Sequence, residues 1–261
     1  MRRITANATH LAATLAVTAA AVLAAFVIPL PAQALTLVVE GPGGNIVHGS
    51  GKEVDSARKV GAFSVLRLDS SVDVHAHAGA TQAVTVHADD NIEPLIETVV
   101  EGDTLVVRVK KGSSFSTNHK MVVDVTFTTL TGVHQHGSGD LHVDKVSAPK
   151  FESSIAGSGD LHIDSAQVGS FSVSIAGSGD VVIAGSADEA RFGIDGSGDI
   201  DARSFAAKKV SVRIAGSGDA RVNATESIDA RVAGSGDVTY SGHPHDVSRR
   251  VAGSGSIEAA R

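Results

Sequence analysis

Apolar and polar residues alternate through the second half of the chain around a tripeptide that recurs seven times. Gly-Ser-Gly recurs at steps of 18 to 20 residues, beginning at Gly137, Gly157, Gly177, Gly196, Gly216, Gly234 and Gly253. The residue two positions before each copy is Ile or Val in six of the seven, and an Asp follows six of them. Alternation on both sides of the tripeptide has the period of a strand with one buried face. Each repeat is therefore predicted to be built of strands.

A repeat of about 20 residues is typical of stacked coils. Equivalent strands of successive coils would pair in parallel, about 4.8 Å apart. We predict an all-β chain with a parallel β-helix-like solenoid of about seven coils over residues 131–261. Ile175, Ile194 and Ile214 should stack in its core. The first coil has Gln135 in that apolar column and the last has Ser256 in the Asp column, departures that are common in terminal coils.

Residues 63–130 alternate differently, in short apolar runs such as residues 104–109 separated by turn clusters such as Glu101-Gly102-Asp103. This pattern predicts hairpin-like strands in an antiparallel or mixed sheet. We expect the block to cap the open end of the solenoid, because an exposed strand edge invites aggregation. Residues 63–261 would then form one continuous domain, and residues 35–62 a strand and a connector.

The start of the chain has the features of an export signal. Arg2 and Arg3 precede an uncharged, Ala-rich run over residues 11–28, and Ala32-Gln33-Ala34 follows. These are the basic region, apolar region and cleavage pattern of a signal peptide, predicted here as residues 1–34. A retained membrane anchor is the alternative. No later segment is apolar enough to span a bilayer, so we expect the protein in the periplasm, on the outer cell surface or outside the cell.

Composition narrows the classes of function. The chain has no Cys, which excludes a disulfide scaffold, a thiol enzyme and a cysteine zinc site. Without residues 1–34 it carries 20 basic and 29 acidic residues, a formal net charge of −9. Nucleic acid is a poor partner for such a chain, because counterion release from phosphates needs clustered Lys and Arg.

The repeated glycines are predicted to be structural. A corner repeated in every coil needs a positive φ or close backbone approach, and Gly accepts either. The corner positions are Gly137, Gly139, Gly157, Gly159, Gly177, Gly179, Gly196, Gly198, Gly216, Gly218, Gly234 and Gly236.

A column of carboxylates follows the glycines. Its members are Asp140, Asp160, Asp180, Asp199, Asp219 and Asp237. The favoured interpretation is that each caps its corner by accepting backbone N–H bonds, as Asp does in turns. The alternative is bridging by calcium, but one Asp per coil offers fewer oxygens than the six to eight that calcium takes.

Histidines offer a second candidate for metal binding. His134 and His136 share one strand face, and His142 and His162 occupy one outward column. Imidazoles so placed can hold a transition metal, although exposed surface histidines are the favoured interpretation. We predict no metal and no cofactor.

The alternative to a binding protein is an enzyme, since some polysaccharide lyases and hydrolases have the parallel β-helix fold. Glycoside hydrolysis needs two carboxylates in different protonation states, whereas these carboxylates repeat in like environments. The sequence has no P-loop, no His-Glu-x-x-His and no nucleophile elbow with a triad. We therefore predict no catalytic residues.

A strand block followed by copies of Gly-Ser-Gly-Asp-apolar, as in residues 157–161, resembles the bacterial head GIN domain family (DUF2807). Members are described as candidate autotransporter adhesins, and the likeness runs from about Phe63 to the C-terminus. The resemblance implies an exported protein of coiled β architecture linked with adhesion. We interpret the chain as a non-enzymatic solenoid whose flat polar faces bind an envelope or extracellular ligand, a surface glycan or protein.

Overall fold

The computed structural model describes residues 46–260, which form 18 strands and one short 3-10 helix, Glu93–Leu95. The predicted signal peptide and the first part of the predicted connector lie outside these residues. The strands are β1 (Ile46–His48), β2 (Glu53–Arg58), β3 (Val65–Asp69), β4 (Asp73–Ala78), β5 (Ala83–Asp89), β6 (Ile96–Glu101), β7 (Thr104–Val109), β8 (Ser114–Ser116), β9 (Val122–Phe127), β10 (Gly132–Gly137), β11 (Leu141–Gly157), β12 (Leu161–Gly177), β13 (Val181–Gly196), β14 (Ile200–Gly216), β15 (Ala220–Gly234), β16 (Val238–Ser241), β17 (Asp246–Gly253) and β18 (Ile257–Ala259).

The repeat region is a β-solenoid, as the period predicted. Strands β11 to β15 stack in parallel, and each pairs with the equivalent residues one repeat later, as Ile155 does with Ile175. The coils number about six, one fewer than predicted. Seven copies of the tripeptide bound only six complete repeats, and the last copy is followed by the three residues of β18.

Each of the strands β11 to β15 forms most of one coil and has 15 to 17 residues. In β11 the buried residues Val143 and Val146 are three positions apart, so the alternation slips out of phase between them. The pairing of β11 with β12 also skips Asp144 and Pro149. These two bends and the glycine corner give the coil three sides. The ladder continues through the bends, which is why β11 is a single strand of 17 residues.

The core is a set of stacked columns. Ile175, Ile194 and Ile214 have exposed fractions of 0%, 1% and 1%, which confirms the predicted column. The neighbouring column begins with Phe151 and Phe171, whose parallel rings lie 5.8 Å apart. This column continues through Ala190, Val210 and Ile228, all of which are buried.

The N-terminal block continues the ladder instead of standing apart from it. β3 pairs in parallel with β10, and β4 pairs in parallel with β11, so β3 and β4 behave as a first coil. Beyond them, β7 and β9 add parallel strands, and β2, β5 and β6 pair antiparallel. The sheet is therefore mixed at this end. The domain boundaries after residues 62 and 130 stay predictions.

The C-terminal end of the stack is less covered. Val247 and Val251 on β17 fall in the predicted inward columns, yet 39% and 45% of their surface is exposed. β17 pairs with β15, and within residues 46–260 no further coil lies on its other side. Both valines therefore lack the neighbour that buries the same columns elsewhere.

Candidate functional site

The glycine corners bring successive coils into backbone contact. Gly157, Gly177 and Gly196 have φ of +147°, +149° and +150°. A Cβ placed on Gly177 would approach the carbonyl oxygen of Gly157 more closely than 3.0 Å, a distance that real Cβ atoms essentially never show. The same carbonyl accepts a 3.0 Å hydrogen bond from the N–H of Ser178. The corner thus combines a positive φ with close packing against the coil before it.

The Asp side chains form a continuous ladder along the edge of the solenoid. The Oδ1 atom of each accepts a hydrogen bond from the backbone N–H of the equivalent residue in the next coil, at N–O distances of 2.7–3.0 Å. The ladder starts at Asp73 and passes through Asp140, Asp160, Asp180, Asp199, Asp219 and Asp237 to the N–H of Ser256. The carboxylates therefore accept backbone N–H bonds, but each bond links two coils instead of closing the turn of its own corner, and the capping role stays a prediction.

Three histidines, His75, His142 and His162, lie on successive strands of one outer face. The rings of His75 and His142 lie 6.1 Å apart and those of His142 and His162 lie 5.0 Å apart. Nε2 of His142 and Nε2 of His162 are 2.9 and 3.0 Å from the two carboxylate oxygens of Asp164. The hydrogen bond from His142 lowers the pKa of the Asp164 carboxyl. A groove of about 390 Å³ separates this row from the Asp ladder.

His134 and His136 contact other groups. Nδ1 of His134 is 2.7 Å from Oγ of Ser154, and partial burial lowers the pKa of its imidazole. Nδ1 of His136 is 2.9 Å from the carboxylate of Asp69. Among residues 46–260, no three His, Cys, Asp or Glu side chains are arranged to hold a metal ion. The same part of the chain contains no helix long and apolar enough to cross a membrane.

A buried carboxylate that the sequence analysis did not single out lies in the N-terminal block. Asp89, fully buried, accepts hydrogen bonds from the Thr117 hydroxyl, from Nδ1 of His119 at 2.9 Å and from the N–H of Gly51 at 3.1 Å. The Thr117 and His119 bonds lower the pKa of Asp89, and the bond to Asp89 raises the pKa of His119. The cluster ties the loop after β1 and the chain after β8 to the end of β5.

The comparison with known families decides what this architecture is. The sequence model described as "Putative auto-transporter adhesin, head GIN domain" (DUF2807) matches residues 62–244. The chain belongs to the head GIN domain family. No curated protein matches the chain.

Solved structures resemble this head GIN protein over most of its length. A "putative adhesin" from Bacteroides fragilis is 29% identical, with a TM-score of 0.79, and the match covers 82% of this chain and 100% of the other. A "putative lipid binding protein" from Parabacteroides distasonis is 27% identical, with a TM-score of 0.70 and coverage of 83% and 100%. A "putative adhesin" from Parabacteroides merdae, 21% identical with a TM-score of 0.66 and coverage of 82% and 99%, shares the fold.

One member of the Asp ladder of this head GIN protein was missed in the sequence. Asp73 lies five residues after Leu68 and directly before Val74, which is the spacing of Ile155, Asp160 and Leu161. The coil lacks the glycine signature because Ser70 and Val72 occupy the two Gly positions, below Gly137 and Gly139. The pairing of β3 with β7 ends at Asp69. Within residues 46–260, no paired strand therefore packs against the corner at Ser70 on the β7 side, and a side chain fits there. Searching for the apolar-to-Asp spacing alone would have found it.

The capping interpretation of the Asp ladder predicts indifference to calcium. The melting temperature of the purified protein should be the same in EDTA and in millimolar calcium. A calcium ion bound only by the folded state would instead stabilise it by about 2.7 kcal/mol at a hundredfold excess over Kd. A large rise in melting temperature, lost when Asp180 and Asp199 are replaced by Ala, would overturn the interpretation.

A matched pair of variants separates charge from hydrogen bonding in the same ladder. Asp180→Asn keeps an oxygen that accepts the N–H of Asp199, whereas Asp180→Ala removes it. Capping predicts that the Asn variant unfolds like the wild type and that the Ala variant loses about 1 kcal/mol, the usual net value of a hydrogen bond.

The Asp89–His119 pair predicts a stability that depends on pH. The depressed pKa of Asp89 stabilises the fold above about pH 4, and this contribution is lost as the pH falls below that range. The raised pKa of His119 stabilises it below about pH 6.5, and this contribution is lost as the pH rises above that range. The melting temperature of the wild type should therefore exceed that of His119→Gln most near pH 5.5, and the difference should shrink by pH 8.5. An equal difference at both pH values would contradict the ion pair.

Proposed function

We propose that this head GIN protein is an exported, non-enzymatic solenoid that binds an envelope or extracellular ligand through its outer faces. The observation that carries the proposal is the surface itself, in which the residues leading into the glycine corner stack in register from coil to coil, so that equivalent outward side chains lie in rows along the stack. Rows of this kind match a partner that is extended or repetitive, such as a surface glycan or a surface protein. The name of one structural relative, the "putative adhesin" that is 29% identical, points in the same direction.

Six carboxyl groups have a pKa displaced in the direction that suits ionic contacts rather than proton donation. Glycoside hydrolysis needs a carboxylic acid whose pKa is raised, so that it donates a proton near neutral pH. Where the pKa of a carboxyl group in residues 46–260 departs from its ordinary value, hydrogen bonds to neighbouring groups lower it. These groups are Asp89, Asp90, Glu152, Asp164, Asp188 and Asp201. A carbohydrate-active enzyme on a β-helix remains the alternative function.

Binding to intact cells tests the proposal. Fluorescently labelled protein should bind saturably to cells of the source bacterium or of its neighbours, and unlabelled protein should compete. In the producing cells, external protease or periplasmic release should reach the protein, since the proposal places it beyond the cytoplasmic membrane. Retention in the cytoplasm, or no saturable binding to any cell surface, would contradict it.

A further inference from the structure

Three arginines form a row across the last coils of the solenoid. Arg213 pairs with Arg231 in the ladder of β14 and β15, and Arg231 pairs with Arg250 in the ladder of β15 and β17. Equivalent residues on parallel strands lie about 4.8 Å apart on the same face. Like charges held so close to one another are destabilising unless an anion lies between them.

Two of the three guanidinium groups have no carboxylate partner in the part of the chain that the structure describes. Within residues 46–260, neither Arg213 nor Arg250 lies within 4.0 Å of a carboxylate, whereas Arg231 is held by Asp229 at 2.6 Å. The Nε atom of Arg231 is buried and has no hydrogen-bond partner in the same part of the chain. Six other arginines of residues 46–260 are ion-paired, namely Arg58 with Glu93, Arg67 with Asp69, Arg108 with Glu97, Arg191 with Glu189, Arg203 with Asp201 and Arg221 with Asp219. Arg249, next to Arg250, contacts the carbonyl oxygen of Ile257 and the ring of Tyr240 instead of a carboxylate. The arginine row thus differs from the six ion-paired arginines.

The three arginines line one side of a shallow groove. The groove is about 360 Å³ in volume, and the exposed methyl groups of Ala215, Ala233 and Ala252 lie beside the arginines in it. Towards the N-terminus, the ladder position of the arginines holds the small residues Ser154, Ser174 and Gly193. The neighbouring alanine column holds Asp195 next to Ala215, so the groove is most favourable to an anion at the three arginines themselves. From Ser154 to Arg250 the track of ladder positions that holds the arginines crosses five strand spacings, roughly 24 Å.

We propose that the Arg213, Arg231 and Arg250 row binds a linear acidic polysaccharide, a chain whose sugars carry carboxylate or sulfate groups at regular intervals. This rests on the proposed binding function and names the class of its ligand. Guanidinium groups recognise carboxylate and sulfate oxygens in pairs of hydrogen bonds, and a row in register engages several anionic groups of one chain. An open track suits a polymer that extends beyond the site in both directions.

Two other polyanions fit the chemistry less well. Single strands of nucleic acid are held by aromatic side chains that stack on the bases, and the residues lining this groove include no aromatic side chain. A lipid surface needs a broad apolar patch, whereas Val251 is the only large apolar side chain of the groove that is substantially exposed. Both are retained as outcomes of the test.

Titration with polygalacturonate, which carries one carboxylate per sugar, tests the proposal. The full protein should bind it in isothermal titration calorimetry, and Arg213→Gln with Arg250→Gln should weaken binding at least about tenfold. Replacement of the same two residues by Lys keeps the charges but loses the planar fork, so its affinity should fall in between. The matched control, Arg203→Gln with Arg221→Gln, removes two positive charges elsewhere and should change the affinity less than about twofold. All four positions are exposed or half-buried, so the variants should melt like the wild type.

Several results would overturn the inference. They are no binding of polygalacturonate by the wild type, equal weakening by the control pair, or tighter arginine-dependent binding of single-stranded DNA or of phosphatidylglycerol vesicles. The cell-binding assay separates this failure from that of the proposed function. If Arg213→Gln with Arg250→Gln binds cells as well as the wild type does, the arginine row is not the ligand site and the binding function stands. If the wild type binds no cells, the proposed function itself fails.

Discussion

Gly177→Val should destabilise the protein by about 2–6 kcal/mol. A β-branched residue at the φ of +149° found there carries backbone strain of about 1–3 kcal/mol. Its Cβ would also overlap the carbonyl oxygen of Gly157 in the preceding coil, and overpacking of this kind adds about 1–3 kcal/mol. Because the coils stack on one another, a backbone movement that removed the overlap at one corner would also displace the corner of the next coil. Chemical denaturation followed by circular dichroism measures the change.

The serine between the two glycines provides the control. Ser178 is exposed, and the structure uses its backbone N–H in the corner, which Ser178→Ala retains. The change should alter the free energy of unfolding by less than about 0.5 kcal/mol. If Ser178→Ala damaged stability or binding more than Gly177→Val did, the tripeptide would have to be reinterpreted as a chemical site.

Ile194→Ala should cost about 2–5 kcal/mol, as truncation of a buried aliphatic side chain does. Ile194 pairs with Ile175 in one neighbouring coil and with Ile214 in the other, and all three are almost fully buried. The truncation would leave a cavity in the middle of the column, where rigid coils on both sides limit collapse.

Val182→Ala is the matched control for the core truncation. Val182 belongs to the same coil and is also aliphatic, but 42% of its surface is exposed. Its truncation should cost less than about 1 kcal/mol, because little apolar surface is buried there. Equal losses for the two variants would contradict the stacked core.

The architecture was accessible from the sequence because its contacts recur at one spacing. Each residue of a coil meets its equivalent about 20 positions later, so aligned columns show which residues stack, as Phe151 and Phe171 do. The glycine corners were readable for the same reason. The coil that contains Asp73 was not recognised because its sequence has the Asp without the tripeptide. Glycines are needed only where the backbone of an earlier coil packs closely against the corner.

Contacts without a period could not be read from the chain. Asp89 forms hydrogen bonds with Gly51, Thr117 and His119, which lie 28 to 38 residues away in the sequence. No repeated pattern in the sequence indicates that these segments lie together. The arginine row was present at a constant position three residues before the tripeptide. It went unnoticed because alignment of the apolar columns directs attention to the inward side chains, and the unpaired state of Arg213 and Arg250 is known only from the folded surface.

The central claim, that this head GIN protein binds a surface ligand without transforming it, is tested most directly by measuring binding and cleavage together. The purified protein would be incubated with a panel of neutral and acidic polysaccharides, with bound protein and newly formed chain ends assayed in the same samples. We predict saturable binding to acidic chains with no increase in reducing or unsaturated ends over a blank without protein. Catalytic release of chain ends from any member of the panel would contradict the claim and make the protein an enzyme.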